Sequence, residues 1–82
     1  MLLVKAKQLA EMRIKAGLSQ RALAKKCGLS GAYLSQLERS RRAPSPRVAR
    51  RLCDELHAEF DALFEIRERV ENALANHGQQ WL

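Results

Sequence analysis

The sequence predicts an all-α domain of five helices, and three observations carry that prediction. Apolar residues recur at steps of three and four along the chain, the period of one helix face. Nowhere does the sustained alternation of apolar and polar residues that marks a strand appear. Serine and glycine punctuate the periodic segments where helices would begin and end. A length of 82 residues confines this to one domain and leaves little room for the deep cleft of an elaborate enzyme.

The first helix is read from Leu2, Ala6, Leu9, Met12 and Ala16, with Gly17 as its stop. Ser19 caps a second helix from Gln20 to Cys27, which Gly28 closes, and Ser30 caps a third from Gly31 to about Arg39. Only Gly28, Leu29 and Ser30 separate those two. The basic loop Ser40-Arg41-Arg42-Ala43-Pro44 leads into Ser45-Pro46, a cap with proline at the first helical position, where its missing N–H is no loss. The fourth helix then runs to about Leu56. Val48, Ala49, Leu52, Cys53 and Leu56 form its apolar stripe, leaving Arg47, Arg50 and Arg51 on or near the opposite surface. A fifth helix is predicted from Asp61 to about Asn76, because Leu63, Ile66, Val70, Ala73 and Leu74 fall within roughly 100° of arc. Gly78 ends it.

Composition narrows the function class. The chain is 46% hydrophobic and 29% charged, enough apolar material to fold, and its net charge is +6. That excess is uneven: residues 1–57 hold thirteen basic and four acidic side chains, whereas residues 58–82 hold two and five. A polyanion would therefore meet the first part, nucleic acid before a membrane surface. The opening run Met1-Leu2-Leu3-Val4 is too short for a signal segment or a membrane span, so a cytoplasmic protein is expected. Cys53 and His57 share a helix face, but Cys27 and His77 complete no ligand-spaced set, so no metal or other cofactor is expected and the cysteines read as reduced core thiols. No Ser/His/Asp or Cys/His constellation, glycine-rich phosphate loop or paired carboxylates points to an enzyme.

Two short helices joined through a glycine are the physical description of a helix-turn-helix. The segment needs a small residue where the helices cross, a residue tolerant of positive φ in the turn, and apolar residues facing inward. Ala24, Gly28 and the set Leu23, Cys27, Leu29, Leu34 and Leu37 meet those needs.

The string Arg13, Gly17-Leu18-Ser19-Gln20, Leu23-Ala24, Gly28-Leu29-Ser30, Tyr33-Leu34-Ser35-Gln36-Leu37-Glu38-Arg39, Arg41-Arg42 and Pro44-Ser45 resembles the Xre/Cro family of phage and bacterial repressors. The likeness spans about Lys5 to Phe64. It implies the lambda-repressor-like five-helix fold over residues 1–64, and transcriptional control through double-stranded DNA, usually repression by a dimer on a palindromic operator. Within that frame the third helix enters the major groove. Gln36 can pair bidentately with adenine, Ser35 can bond to base or phosphate, Ala32 can touch a thymine methyl, and Tyr33 shares the face. Gln20, at the amino end of the second helix, is placed to hold a backbone phosphate, as its family counterpart does. Arg21, Arg39, Arg41, Arg42 and Arg47 are assigned to the phosphate backbone, setting register without reading sequence. Arg13 and Glu38 resemble a pair that ties the first helix to the end of the third, a largely buried ion pair.

The chain departs from the family pattern at several places. Gly31 and Ala32 replace longer polar residues at the start of the third helix, which shifts readout toward Tyr33, Ser35, Gln36 and DNA shape. Ser40 and His57 stand where glycine usually follows a helix. The helical pattern also continues past the family domain as an extended C-terminal helix over residues 65–82. Its stripe of Ile66, Val70, Ala73 and Leu74 must pack on something, and a homodimer contact is favoured over packing on its own domain or on a different protein. The alternative function is an antitoxin-like module that binds a protein partner through this helix and uses DNA binding for autoregulation.

Overall fold

The structure, a computed structural model of the chain, describes residues 1–67. A short strand β1 (Leu2–Val4) is followed by α1 (Ala6–Lys15), α2 (Gln20–Lys26), α3 (Gly31–Glu38), α4 (Pro46–Leu56) and α5 (Phe60–Leu63), and strand β2 (Phe64–Ile66) closes the domain. The five helices follow the order the sequence predicts.

Their starts are set by serine. Ser19 accepts from the Ala22 N–H at 3.0 Å, Ser30 from Tyr33 at 3.0 Å and Ser45 from Val48 at 3.2 Å. Each satisfies one donor that the first turn leaves unpaired, worth about 1 kcal/mol. The ends of α1 to α4 share one device. A residue with positive φ stands at the end of each, namely Gly17 (77°), Gly28 (69°), Ser40 (58°) and His57 (52°). The N–H of the next residue reaches back five positions: Leu18 to Arg13, Leu29 to Ala24, Arg41 to Gln36 and Ala58 to Cys53, at 2.8–3.1 Å. A Cβ added at Gly28 would meet nothing within 4 Å, so glycine is favoured there by its backbone freedom and not by space.

The core is one cluster. Leu9 of α1, Leu23 and Ala24 of α2, Leu34 and Leu37 of α3, Ala49 and Leu52 of α4, with Leu63 and Phe64, are essentially sealed from solvent. Ala24 is the small residue at the α2–α3 packing. Cys27 and Cys53 are buried free thiols beside the same cluster. Burial pushes both thiols above the usual cysteine range; Glu55 adds to this at Cys27 and Asp54 at Cys53, while Arg51 and Arg50 oppose it. Both therefore stay protonated near neutrality and serve as packing groups.

Two elements differ from the sequence reading. Leu2–Val4 is a strand and not the first turn of α1, and Phe64–Ile66 is a strand and not the middle of a long helix. The two pair antiparallel, Leu2 with Ile66, Leu3 with Glu65 and Val4 with Phe64. The Lys5 N–H donates to the Leu63 carbonyl at 2.7 Å, and the Arg67 N–H to Met1 at 2.8 Å. Two runs of three residues have a register but no period of their own, so the spacing of Leu2 with Ala6 and of Leu63 with Ile66 fits a helix although the chain forms strands there. The predicted dimer contact Ile66 accordingly lies on a strand, 77% exposed. Val70, Ala73 and Leu74 lie outside the described residues. Among the described residues no helix is long and apolar enough to cross a membrane.

Candidate nucleic-acid interface

The outward face of α3 is built by its inward one. With Leu34 and Leu37 fixed in the core, Gly31, Ala32, Gln36 and the following Arg39 are left exposed, and Tyr33 and Ser35 are half-buried. An eight-residue helix held at its start by Ser30 and at its end by the turn at Ser40 has little freedom to reorient this face.

A polar anchor holds α3 against α1 and α2. Arg13 donates to Glu38 through Nε at 2.7 Å and Nη2 at 3.2 Å, and its Nη1 donates to the Leu18 carbonyl at 2.7 Å. The side chains of Arg13 and Glu38 are only 13% and 6% exposed. Gln20 joins them, its Nε2 donating to Glu38 Oε1 at 2.9 Å. The sequence assigns Gln20 to a phosphate and gives no sign of this bond. The amide keeps a second N–H, so anchoring and phosphate contact are compatible at this residue.

Charge follows from the same arrangement. Between Glu11 and Asp54 the sequence has a single acidic residue, Glu38, and it is buried against Arg13. The surface from α2 to the start of α4 is thus cationic without internal compensation. Arg21, Arg39, Arg41, Arg42 and Arg47 are all exposed on it. Arg50 and Arg51 have structural partners: Arg50 lies 3.5 Å from Asp54, and Arg51 donates to the Lys26 carbonyl at 3.2 Å, joining α4 to the end of α2. Arg42 turns back onto α3, where its Nε–H donates to Gln36 Oε1 at 2.8 Å and its guanidinium lies 4.9 Å from the centre of the Tyr33 ring. No sequence spacing foretells this contact, because it depends on the reversal at Ser40.

A face of this kind suits a phosphate backbone flanking a groove: a rigid helix with small and amide side chains, rimmed by arginines. An apolar depression of about 510 Å³ lies between the ribbon and α4, lined by Leu2, Pro46, Arg50, Cys53, Asp54, Ala58, Glu59, Phe60 and Ile66.

Comparison with known proteins agrees with this geometry. A family model described as a helix-turn-helix domain matches residues 6–64. The restriction-modification controller protein C.AhdI from Aeromonas hydrophila superposes with a TM-score of 0.66 at 33% identity, over 70% of this chain and 86% of that one. The clp gene regulator ClgR from C. glutamicum gives 0.64 at 33% identity, over 70% and 75%. An HTH_3 family transcriptional regulator from Vibrio cholerae gives 0.63 at 37% identity, over 70% of this chain and 32% of the longer protein. No curated protein matches the sequence.

Proposed function

The chain belongs to the Xre/Cro-type helix-turn-helix family, and from that membership we propose that it is a cytoplasmic repressor that binds a palindromic operator as a homodimer through residues 20–39. The observation that carries this reading is the pairing of a rigid, solvent-facing α3 with a cationic rim whose one acidic neighbour is buried. In this reading Ala32, Tyr33, Ser35 and Gln36 read base edges. Gln20, Arg21, Arg39, Arg41 and Arg47 hold phosphates, and the activity is binding without a catalytic step. A two-fold dimer would set its recognition helices about one DNA turn, roughly 34 Å, apart.

Selection from a randomised duplex library tests this reading. A single enriched, inverted-repeat sequence is expected, with affinity falling steeply with salt as bound phosphates release counterions. Recovery of unenriched sequence would reject specific binding.

The assembly reading rests on the ribbon, where Ile66, at the edge of the apolar depression, and Met1 are 77% and 59% exposed. Removing residues 68–82, which spares the ribbon, should convert dimer to monomer by light scattering. An untruncated chain that is already monomeric would instead favour packing of the tail on its own domain or on a different protein.

A further inference from the structure

The left-handed turn at Ser40 sends the chain back along α3. The Arg41 N–H donates to the Gln36 carbonyl at 2.8 Å, and the Arg42 guanidinium then meets the Gln36 side chain. One arginine, which by sequence belongs to the loop, is thus held between two residues of the outward face: hydrogen-bonded to Gln36 and stacked on Tyr33.

The contact constrains Gln36 chemically. A guanidinium carries only donors, so the amide atom facing it must be the oxygen; the flipped amide would set N–H against N–H. With that orientation fixed, one lone pair of Oε1 is taken by Arg42, and the other remains with both Nε2 hydrogens. Those are the acceptor and donor that adenine requires, for its N6 amino group and N7 respectively. A glutamine free to flip and rotate has no such preset orientation. The ring beneath Arg42 also holds the guanidinium in place before DNA arrives, so less side-chain freedom is lost on binding.

We propose that Arg42 is a specificity-determining residue, fixing the Gln36 amide for adenine instead of serving as a sequence-blind phosphate contact. The proposal rests on α3 being the base-reading helix. Arg42→Lys isolates it, because lysine keeps the positive charge but lacks both the Nε–H and the planar group that lies on Tyr33. Arg41→Lys is the control, since Arg41 meets Gln36 through its backbone N–H, which the substitution retains.

The probes are duplexes enriched by the unaltered protein from a randomised library, together with their single-base-pair variants. A bidentate contact discriminates by roughly 5- to 150-fold, and Gln36→Ala should lose that preference at one base pair. Arg42→Lys should lower preference at the same base pair by about fivefold, leave it unchanged elsewhere, and add nothing in the Gln36→Ala background. Arg41→Lys should leave the preference intact. No effect of Arg42→Lys on preference, or an equal loss on every duplex in both backgrounds, would overturn the proposal while leaving α3 as the reading helix. Unchanged preference in Gln36→Ala would remove both the proposal and the role of Gln36 on which it stands.

Discussion

The helix-turn-helix and the ribbon that closes the domain are built by opposite rules. Within Gln20–Glu38, structure is local: each helix starts on a serine three residues from its N–H partner, and each ends on a turn that reaches back five. The ribbon is the reverse, two three-residue strands whose paired residues lie 60 to 64 positions apart and that acquire meaning only when they meet. The first region presents function, and the second seals the core beneath it. Local rules therefore expose the binding face, while its stability depends in part on a distant pairing.

The largest test of that division falls on the ribbon. Phe64 is 1% exposed and packs against Phe60, their ring centroids 5.5 Å apart. Phe64→Ala should cost about 3–5 kcal/mol in denaturant unfolding, a large share of what a domain of this size has. A cost below about 1 kcal/mol would make the closing ribbon an ornament. Next comes the anchor inside the helix-turn-helix. Glu38→Ala leaves Arg13 and Gln20 without their shared acceptor and should cost about 3 kcal/mol. Replacing Arg13 and Glu38 together by apolar residues should cost less than the sum of the single changes. Additive costs would show that the two side chains stabilise the fold independently and not as a pair.

Smaller effects separate the helix starts from the helix ends. Ser30→Ala removes one cap and should cost about 1 kcal/mol. Ser40→Gly and His57→Gly each relieve a left-handed backbone at a non-glycine residue, and should stabilise by about 0.5 kcal/mol after the added freedom of the unfolded chain is subtracted. Destabilisation by either would show that its side chain contributes more than its backbone costs.

These particulars explain what was legible in the sequence. Ser19, Ser30, Ser45, Gly17 and Gly28 act within a few residues of themselves, so the caps and turns could be read directly. The inward set of α2 and α3 is periodic and equally visible. Leu2–Val4 and Phe64–Ile66 were hidden because a partner at the far end of the chain decides their conformation, and their apolar spacing also fits a helix. The candidate site was legible as a list of residues and not as an arrangement. Nothing in the spacing of Gln20 and Glu38, or of Gln36 and Arg42, announces a hydrogen bond, since each depends on a turn that redirects the chain.

The division between a binding face and a closing ribbon is tested most directly by mapping backbone amide chemical shifts on titration with a selected duplex. Shifts should concentrate at Gly31 to Arg42, at Arg47 and at the start of α2, while Phe60 and Ile66 in the apolar depression stay unmoved. Shifts centred on that depression, with α3 silent, would contradict the account.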